Sequence, residues 1–332
     1  MLLDVDLTVI LPIRVTKERI ETIEHIQNIK LDNNIPSNVS FLIVDDGSEE
    51  IYSKDIKNKS QEVNAKYLYL NSSSKPFSLA RARNQGAKSA KSKFIMFQDI
   101  DILPYNGFYR DIIQEIKVQE IEKRVNSFLI IGVIYLSKYA SINYNSFSKQ
   151  YLLDKAIIGD KKYVERYSTA TSITLLHKEH FDSIGGYDEK FEKWGHEDID
   201  LNCRLILQDN LAKLPKEFIL DEKNFNNIFE YKGWKSIYRL YGDRVFFKGI
   251  VLFHYWHSTK QNSNYYANKE KNKKYFHTKL QKYIENYIEK RSYKLTKESI
   301  LFDRYKYSLS PSNRLKCKSI LYSIYYKIRK IM

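Results

Sequence analysis

The run FIMFQDIDILP, Phe94 to Pro104, decides how this chain is read. Phe94 to Phe97 is apolar without a helical period, the signature of a short buried strand. It stops at Asp99-Ile100-Asp101, two carboxylates one residue apart. In extended backbone, residues i and i+2 point to the same side, so both acids are expected to face one cleft. Held together at the end of a buried strand, they repel each other unless a cation lies between them. A hard divalent ion such as Mn²⁺ or Mg²⁺ suits their oxygens and also holds phosphate. A polar turn stopped by Pro104 carries the same letters, and the rest of the chain has to separate the two readings.

With 332 residues and 43% hydrophobic content, the chain can build one large α/β domain with an appendage, or two domains; wholesale disorder is not expected. Cys203 and Cys317 are far apart and lack metal-type spacing, which fits a reducing compartment and not a disulfide scaffold. Asp4 and Asp6 lead straight into an apolar run, so no signal peptide is expected. No apolar run approaches the ~20 residues of a membrane span. The formal net charge is +15, but residues 266–332 hold eighteen Lys or Arg against five Asp or Glu, which leaves +2 for everything before. The basic character belongs to a tail, and no nucleic-acid partner is expected for the domain that carries the acids.

Residues 6–13 (DLTVILPI) form a strand-type run that includes Pro12 and is followed by Arg14. Residues 17–30, with Ile20, Ile23, Ile26 and Ile29, predict a helix with one buried stripe. Residues 41–44 predict a second strand that ends in Asp45-Asp46-Gly47-Ser48, and residues 67–70 a third. Ser78 is placed to N-cap a helix over 79–91, with Arg81, Arg83 and Asn84 in its first turns. Strand–helix–strand alternation means a parallel sheet with crossover helices, and ligands gather at the carboxyl ends of its strands. Arg14, the Asp45/Asp46 pair and the Asp99/Asp101 pair all stand at such ends. The glycine-rich dinucleotide loop is absent after the first strand.

Further on, residues 106–124 predict a helix, 127–136 a strongly apolar strand and 172–176 another strand. Residues 194–200 read Trp-Gly-His-Glu-Asp-Ile-Asp, and a helix over 197–208 places Glu197, Asp198 and Asp200 in its first turn, where the helix dipole favours negative charge. Residues 214–245 carry no clear period, and Gly233-Trp234 suits a loop beside a ligand. The apolar run 246–257 predicts a strand that delivers His254 and His257, and imidazole is a common ligand of Mn²⁺-like ions.

These motifs together resemble metal-dependent glycosyltransferases of the GT-A fold, in particular bacterial family-2 capsule or lipopolysaccharide transferases and the β-1,4-galactosyltransferase and chondroitin-polymerase-like group. VDDGS at 44–48, ARNQG at 82–86, QDIDILP at 98–104, WGHEDID at 194–200 and the histidine-bearing strand carry the resemblance, over about residues 6–260. It implies an α/β GT-A nucleotide-sugar domain over 1–262 and a basic helical extension over 263–332. It further implies nucleotide-sugar contacts from Pro12, Arg14, Asp45, Asp46, Arg81, Asp99, Ile100, Trp194 and Gly195. The implied metal ligands are Asp99, Asp101 and His254, with His257 competing for the histidine position. Asp198 matches the catalytic base and Glu197 an acceptor- or sugar-binding acid; His196 stands where the family often has a small residue. The implied activity is inverting transfer of a hexose or N-acetylhexosamine from a UDP-sugar, UDP-galactose or UDP-N-acetylgalactosamine favoured, to a hydroxyl of a growing surface glycan, with Mn²⁺ or Mg²⁺ as cofactor.

Two other classes compete. A sugar-nucleotide nucleotidyltransferase also uses an α/β sheet and paired acids, but it needs a glycine- and basic-rich phosphate loop that is missing after Ile13. A nucleic-acid-binding protein would use the tail, whose ten tyrosines lie among lysines. The tail favours a third partner. Over 313–332 the residues Cys317, Ile320, Leu321, Ile324, Ile328 and Ile331 fall on one helical side, with Arg314, Lys316, Lys318, Lys327, Arg329 and Lys330 mostly on others. Such a helix can pack its stripe on the catalytic domain or on a partner subunit, or lie in the interface of an anionic membrane, each Lys or Arg adding ~1 kcal/mol, where a transferase with a lipid-linked acceptor gains from being held. Peripheral attachment to the cytoplasmic face of the inner membrane is therefore expected. In co-sedimentation, the full chain should bind anionic liposomes, leave them in high salt, and lose binding when truncated after Ser310; equal sedimentation of the truncated chain would refute the attachment.

Overall fold

β1 (Leu7–Ile13) is the strand on which the others assemble, and all seven of its residues are buried. A computed structural model of the chain describes residues 5–209, 211–221, 230–257 and 266–308. β2 (Val39–Asp45) and β3 (Lys66–Tyr69) follow in parallel on one side of β1, and β4 (Phe94–Phe97) lies parallel on the other. Pro12 sits in this central strand without breaking a ladder. The even-numbered residues of β1 bond towards β4, and that pairing ends at Ile10–Phe97, so no acceptor waits for the missing N–H. The parallel half expected from strand–helix alternation is thus present, with every residue of β4 buried.

Beyond β4 the sheet becomes mixed. The remaining strands are β5 (Ile102–Leu103), β6 (Phe128–Ile130), β7 (Gly132–Leu136), β8 (Val164–Ser168), β9 (Thr174–His177) and β10 (Val251–His254). The large sheet has the order β3-β2-β1-β4-β9-β6, with β9 antiparallel to both neighbours; a second sheet has the order β5-β10-β7-β8. The apolar run 127–136, expected as one strand, is therefore two strands in two sheets. The break falls at Ile131, and a Cβ on Gly132 would stand 2.4 Å from the Phe246 ring, so only glycine lets that ring close over the bend.

The α-helices are α1 (Glu50–Glu62), α2 (Leu79–Ser89), α3 (Phe108–Val118), α4 (Lys138–Ile142), α5 (Lys149–Ile157), α6 (Lys178–Ser183), α7 (Glu197–Asp209), α8 (Gly233–Phe246) and α9 (Lys269–Ser308). Ser78 caps α2 as expected, its hydroxyl accepting from the Arg81 N–H. Residues 17–31 instead form a 3₁₀ helix, kinked at Arg19, that buries Ile23, Ile26 and Ile29 and leaves Ile20 exposed. The strict spacing of three between those isoleucines is the 3₁₀ repeat, one residue per turn on the same line. Gly233-Trp234 is not a loop: it opens α8, and Trp234 is buried with its ring edge-on to Phe276. One compact unit runs to Leu280, and a second from Gln281 is helical through Ser308. Among the described residues no helix is long and apolar enough to cross a membrane. The helix expected over 313–332 lies outside the described residues.

Buried Asp32 supplies the N-terminal cap of α3, because Gly107 at the cap position has no side chain. Its carboxylate accepts from the N–H groups of Asn34 (2.9 Å), Gly107 (2.7 Å) and Tyr109 (3.0 Å). Asp32→Ala leaves these donors unsatisfied and should cost about 2–4 kcal/mol in urea unfolding, with Asp32→Asn losing less. A loss below about 0.5 kcal/mol would mean that water replaces the carboxylate.

Candidate active site

The chain turns at Ile100–Asp101 instead of staying extended, so the two acids of the D-x-D take different partners. Asp99 accepts from the Arg83 guanidinium (2.8 Å) and the Ser172 hydroxyl (3.0 Å). Asp101 turns to the histidines. β5 pairs antiparallel with β10 so that His254 stands opposite Ile102, and the Tyr255 N–H bonds the Asp101 carbonyl at 2.9 Å. His254 Nε2 and His257 Nε2 then lie 3.4 and 3.5 Å from Asp101 Oδ2. The histidines share the site, and one ligand atom from each of the three residues falls within 4.8 Å of the others. Burial alone would push the Asp101 carboxyl up, but His254 and His257 beside it hold it well below the usual range. Tyr135 stacks on the His254 ring at 4.8 Å, and the Arg166 guanidinium lies 3.7 Å from the tyrosine ring centroid. One carboxylate oxygen and two imidazole nitrogens are a donor set that suits Mn²⁺ and related divalent ions. Asp99 is not part of that cluster.

The second centre is Arg83, which is 1% exposed. It reaches Asp99 with one nitrogen and Glu197 Oε1 with the other (3.0 Å), and its guanidinium lies 5.2 Å from the Tyr187 ring centroid. Glu197 and Asp198 begin α7. One buried cation therefore faces three carboxylates. Burial and the adjacent Asp198 push Glu197 up to about 7 against the pull of Arg83, and burial raises half-buried Asp198 as well. Tyr135 is raised by burial and by Asp99, Asp101 and Asp198 together, so one side chain feels both the imidazole and the α7 centre.

Among the residues expected at the nucleotide, Asp46 and Arg81 form a bidentate pair at 2.7 and 2.6 Å. Asp46 also accepts from the Ser72 hydroxyl and the Ser78 N–H, and Asp45 from Ser48 and Tyr67, so both acids brace the turn after β2. Arg14 donates to the carbonyls of Ser73 and Lys75. It lines a cleft of about 580 Å³ together with His25, Pro76, Phe77, Lys138, Trp256 and His257, which runs up to the imidazole cluster. Ile100 and Pro12 are buried. Trp194 is 37% exposed, and a side chain built on Gly195 would meet nothing within 4 Å, so this stretch borders open space.

The family described as "Glycosyltransferase like family 2" matches residues 8–282. The chain belongs to this family. The α/β architecture expected of a GT-A transferase is the one observed, and a transferase of glycosyl groups is the activity its membership supports. No curated protein matches the chain. Similar solved structures include "Mannosyltransferase PcManGT from Pyrobaculum calidifontis in complex with GDP-Man and Mn2+", at 15% identity over 61% of this chain and 52% of that one, TM-score 0.36. S. aureus TarS is similar in two structures. Its 1-349 form gives 15% identity, 61% and 55% coverage and a TM-score of 0.38, and TarS itself 16%, 61% and 33%, with 0.39. The chain spans about half the length of the first two and a third of the last.

Three residues of the candidate site were not expected from the sequence. Arg83 was legible in principle: Ala80, Arg83 and Ala87 share one face of α2, and the alanines are buried, so a cation on that face needed buried acids. His25, beside Tyr255 at 4.9 Å, and Ser172 carry no such signal. The raised proton affinity of Glu197 makes a testable demand. Its folded-state pKa of about 7 lies above the ordinary 4.5, so its share of stability is whole below 4.5 and is lost as pH rises through 7. Glu197→Gln cannot ionise, so its stability relative to the unaltered protein should improve by about 1–3 kcal/mol between pH 5 and pH 8, each tenfold change in proton affinity being worth ~1.4 kcal/mol. A difference that stays flat with pH would show that Glu197 ionises normally.

Proposed function

We propose that this protein is an inverting glycosyltransferase that moves a hexose or N-acetylhexosamine from a UDP-sugar to a hydroxyl of a growing surface glycan. UDP-galactose and UDP-N-acetylgalactosamine are the favoured donors, on the galactosyltransferase-like motifs. The observation that carries the reading is the acid pair at the start of α7, raised in proton affinity and tied through buried Arg83 to the turn that leads to Asp101.

The nucleotide half of the donor occupies the cleft, where Arg14 and Lys138 offer charge and Phe77 and Trp256 offer ring faces to the base. Asp101, His254 and His257 would hold Mn²⁺ or Mg²⁺, which when bound neutralises charge on a diphosphate leaving group. Trp194 and Gly195 border the sugar and the acceptor. Asp198 takes the proton from the acceptor hydroxyl, and its raised affinity makes it a stronger base than an ordinary carboxylate. A single base and a direct displacement on the anomeric carbon invert its configuration, by the logic that separates the two classes of glycosidase. Glu197 stays bonded to Arg83 and orients the first turn of α7. The basic extension from 263 onward, held on an anionic membrane, keeps the enzyme near a lipid-linked acceptor.

UDP release from a panel of UDP-sugars with Mn²⁺ tests the reading. Asp198→Asn should lower kcat by ~10²–10⁴ with donor binding retained, and Asp101→Ala should remove both turnover and metal-dependent UDP binding without unfolding the protein. Turnover that persists in EDTA would overturn the metal assignment, and full activity of Asp198→Asn would overturn the base.

A further inference from the structure

The turn before the acid pair is held in an unfavourable shape. Lys193, Gly195 and His196 have φ of 59°, 102° and 76°, three left-handed residues among four, and two of them carry side chains that disfavour it. Backbone of this kind persists only where its surroundings over-determine it. The restraint comes from α9. Asn272, in its first turn and 2% exposed, donates its side-chain amide to the carbonyls of Glu192 (3.0 Å), Trp194 (3.2 Å) and Gly195 (3.1 Å). One turn on, fully buried Phe276 lies against the His196 ring, centroids 5.8 Å apart. Lys279 Nζ then stands 3.0 Å from Asp200 in the first turn of α7. An asparagine near a helix start ordinarily serves its own backbone; this one bonds a segment far away in the sequence.

We propose that Asn272 is a positioning residue for the acceptor side of the reaction: by drawing three carbonyls of residues 192–195 onto one amide, it sets where α7 begins and hence where the Asp198 carboxylate stands. The inference rests on Asp198 acting as the base. Only an N–H donor does this work, because a carboxylate of the same shape would face the three carbonyls with oxygen against oxygen. The strained residues lie among Asn272's acceptors and lead straight into the acids, so loosening them displaces the base, and of the three only Lys193 also lines the nucleotide cleft.

Asn272→Asp and Asn272→Ala test it, with three readouts on the full chain. UDP release from UDP-galactose or UDP-N-acetylgalactosamine should fall by about 10²-fold in kcat, the loss a displacement near 1 Å produces. The dissociation constant for UDP should stay within about twofold, because the turn gives the cleft only Lys193, whereas Arg14, Phe77, Lys138 and Trp256 stand on other segments. Trypsin should nick the native protein after Lys193 at least about tenfold faster, read by mass spectrometry. Unchanged kcat in both variants would overturn the proposal, and so would a UDP affinity that falls in step with kcat, which is the mark of general damage. If the unaltered protein turns over no nucleotide sugar, the functional reading has failed on its own. The nicking rate then decides: acceleration supports Asn272 as the restraint of the turn, and an unchanged rate overturns it.

Discussion

Everything in the site depends on one buried guanidinium. Arg83 stands between Asp99 and Glu197, two acids far apart in the sequence, and it is the only charge partner either has among the described ion pairs. Taking these groups out of water is unfavourable, and the pairing offsets that only because both nitrogens are met at hydrogen-bond distance. Removing one member of such a set typically costs about 3–5 kcal/mol, since the others are left charged and dry. The arrangement is also short of positive charge, with one cation for Asp99, Glu197 and Asp198. Glu197 answers by holding its proton towards neutrality, and the imidazoles stabilise the nearby Asp101.

Much of this was legible in the residues. The polar junctions after β1 (Arg14), β2 (Asp45, Asp46) and β4 (Asp99, Asp101), the Ser78 cap and the helix that starts at Glu197 all follow from short-range patterns, in which propensity, capping and burial agree. What escaped depends on partners distant in the sequence. Asp99 and Asp101 look like one pincer as letters, but the turn between them sends one to a helix cation and the other to a late strand. Residues 127–136 look like one strand because periodicity does not say which sheet a residue joins, and Phe246 makes that choice at Gly132. The isoleucines of 17–31 suggest a helix, and their spacing of three names its type only once the 3₁₀ alternative is weighed. Asp46 and Arg81 suggest ligand contacts from their motif, and their pairing with each other is a partner relation that the motif does not spell out.

The basic tail is not one thing. Its beginning lies inside the compact unit, where Lys273 bonds Asp221 and Lys279 stands between Asp188 and Asp200, so part of the charge excess is neutralised by internal acids. Asp221 draws on Lys235 and His277 as well and is held down at about 2. Counting charge along a chain treats such lysines as surface, which overstates what is available to an anionic partner.

The β5–β10 ladder carries a consequence for how the protein comes into being. Asp101 leaves the ribosome long before His254 and His257, and nothing in β5, only two residues long, can hold its turn until β10 arrives to pair with it. The parallel half-sheet is built from near neighbours and can form early; the cluster of carboxylate and imidazoles closes a long loop and forms late. A nascent or clipped chain that has its acidic motifs but not β10 is therefore a sheet without the carboxylate–imidazole cluster. Asp101 meets His254 and His257 as one of the last events of folding.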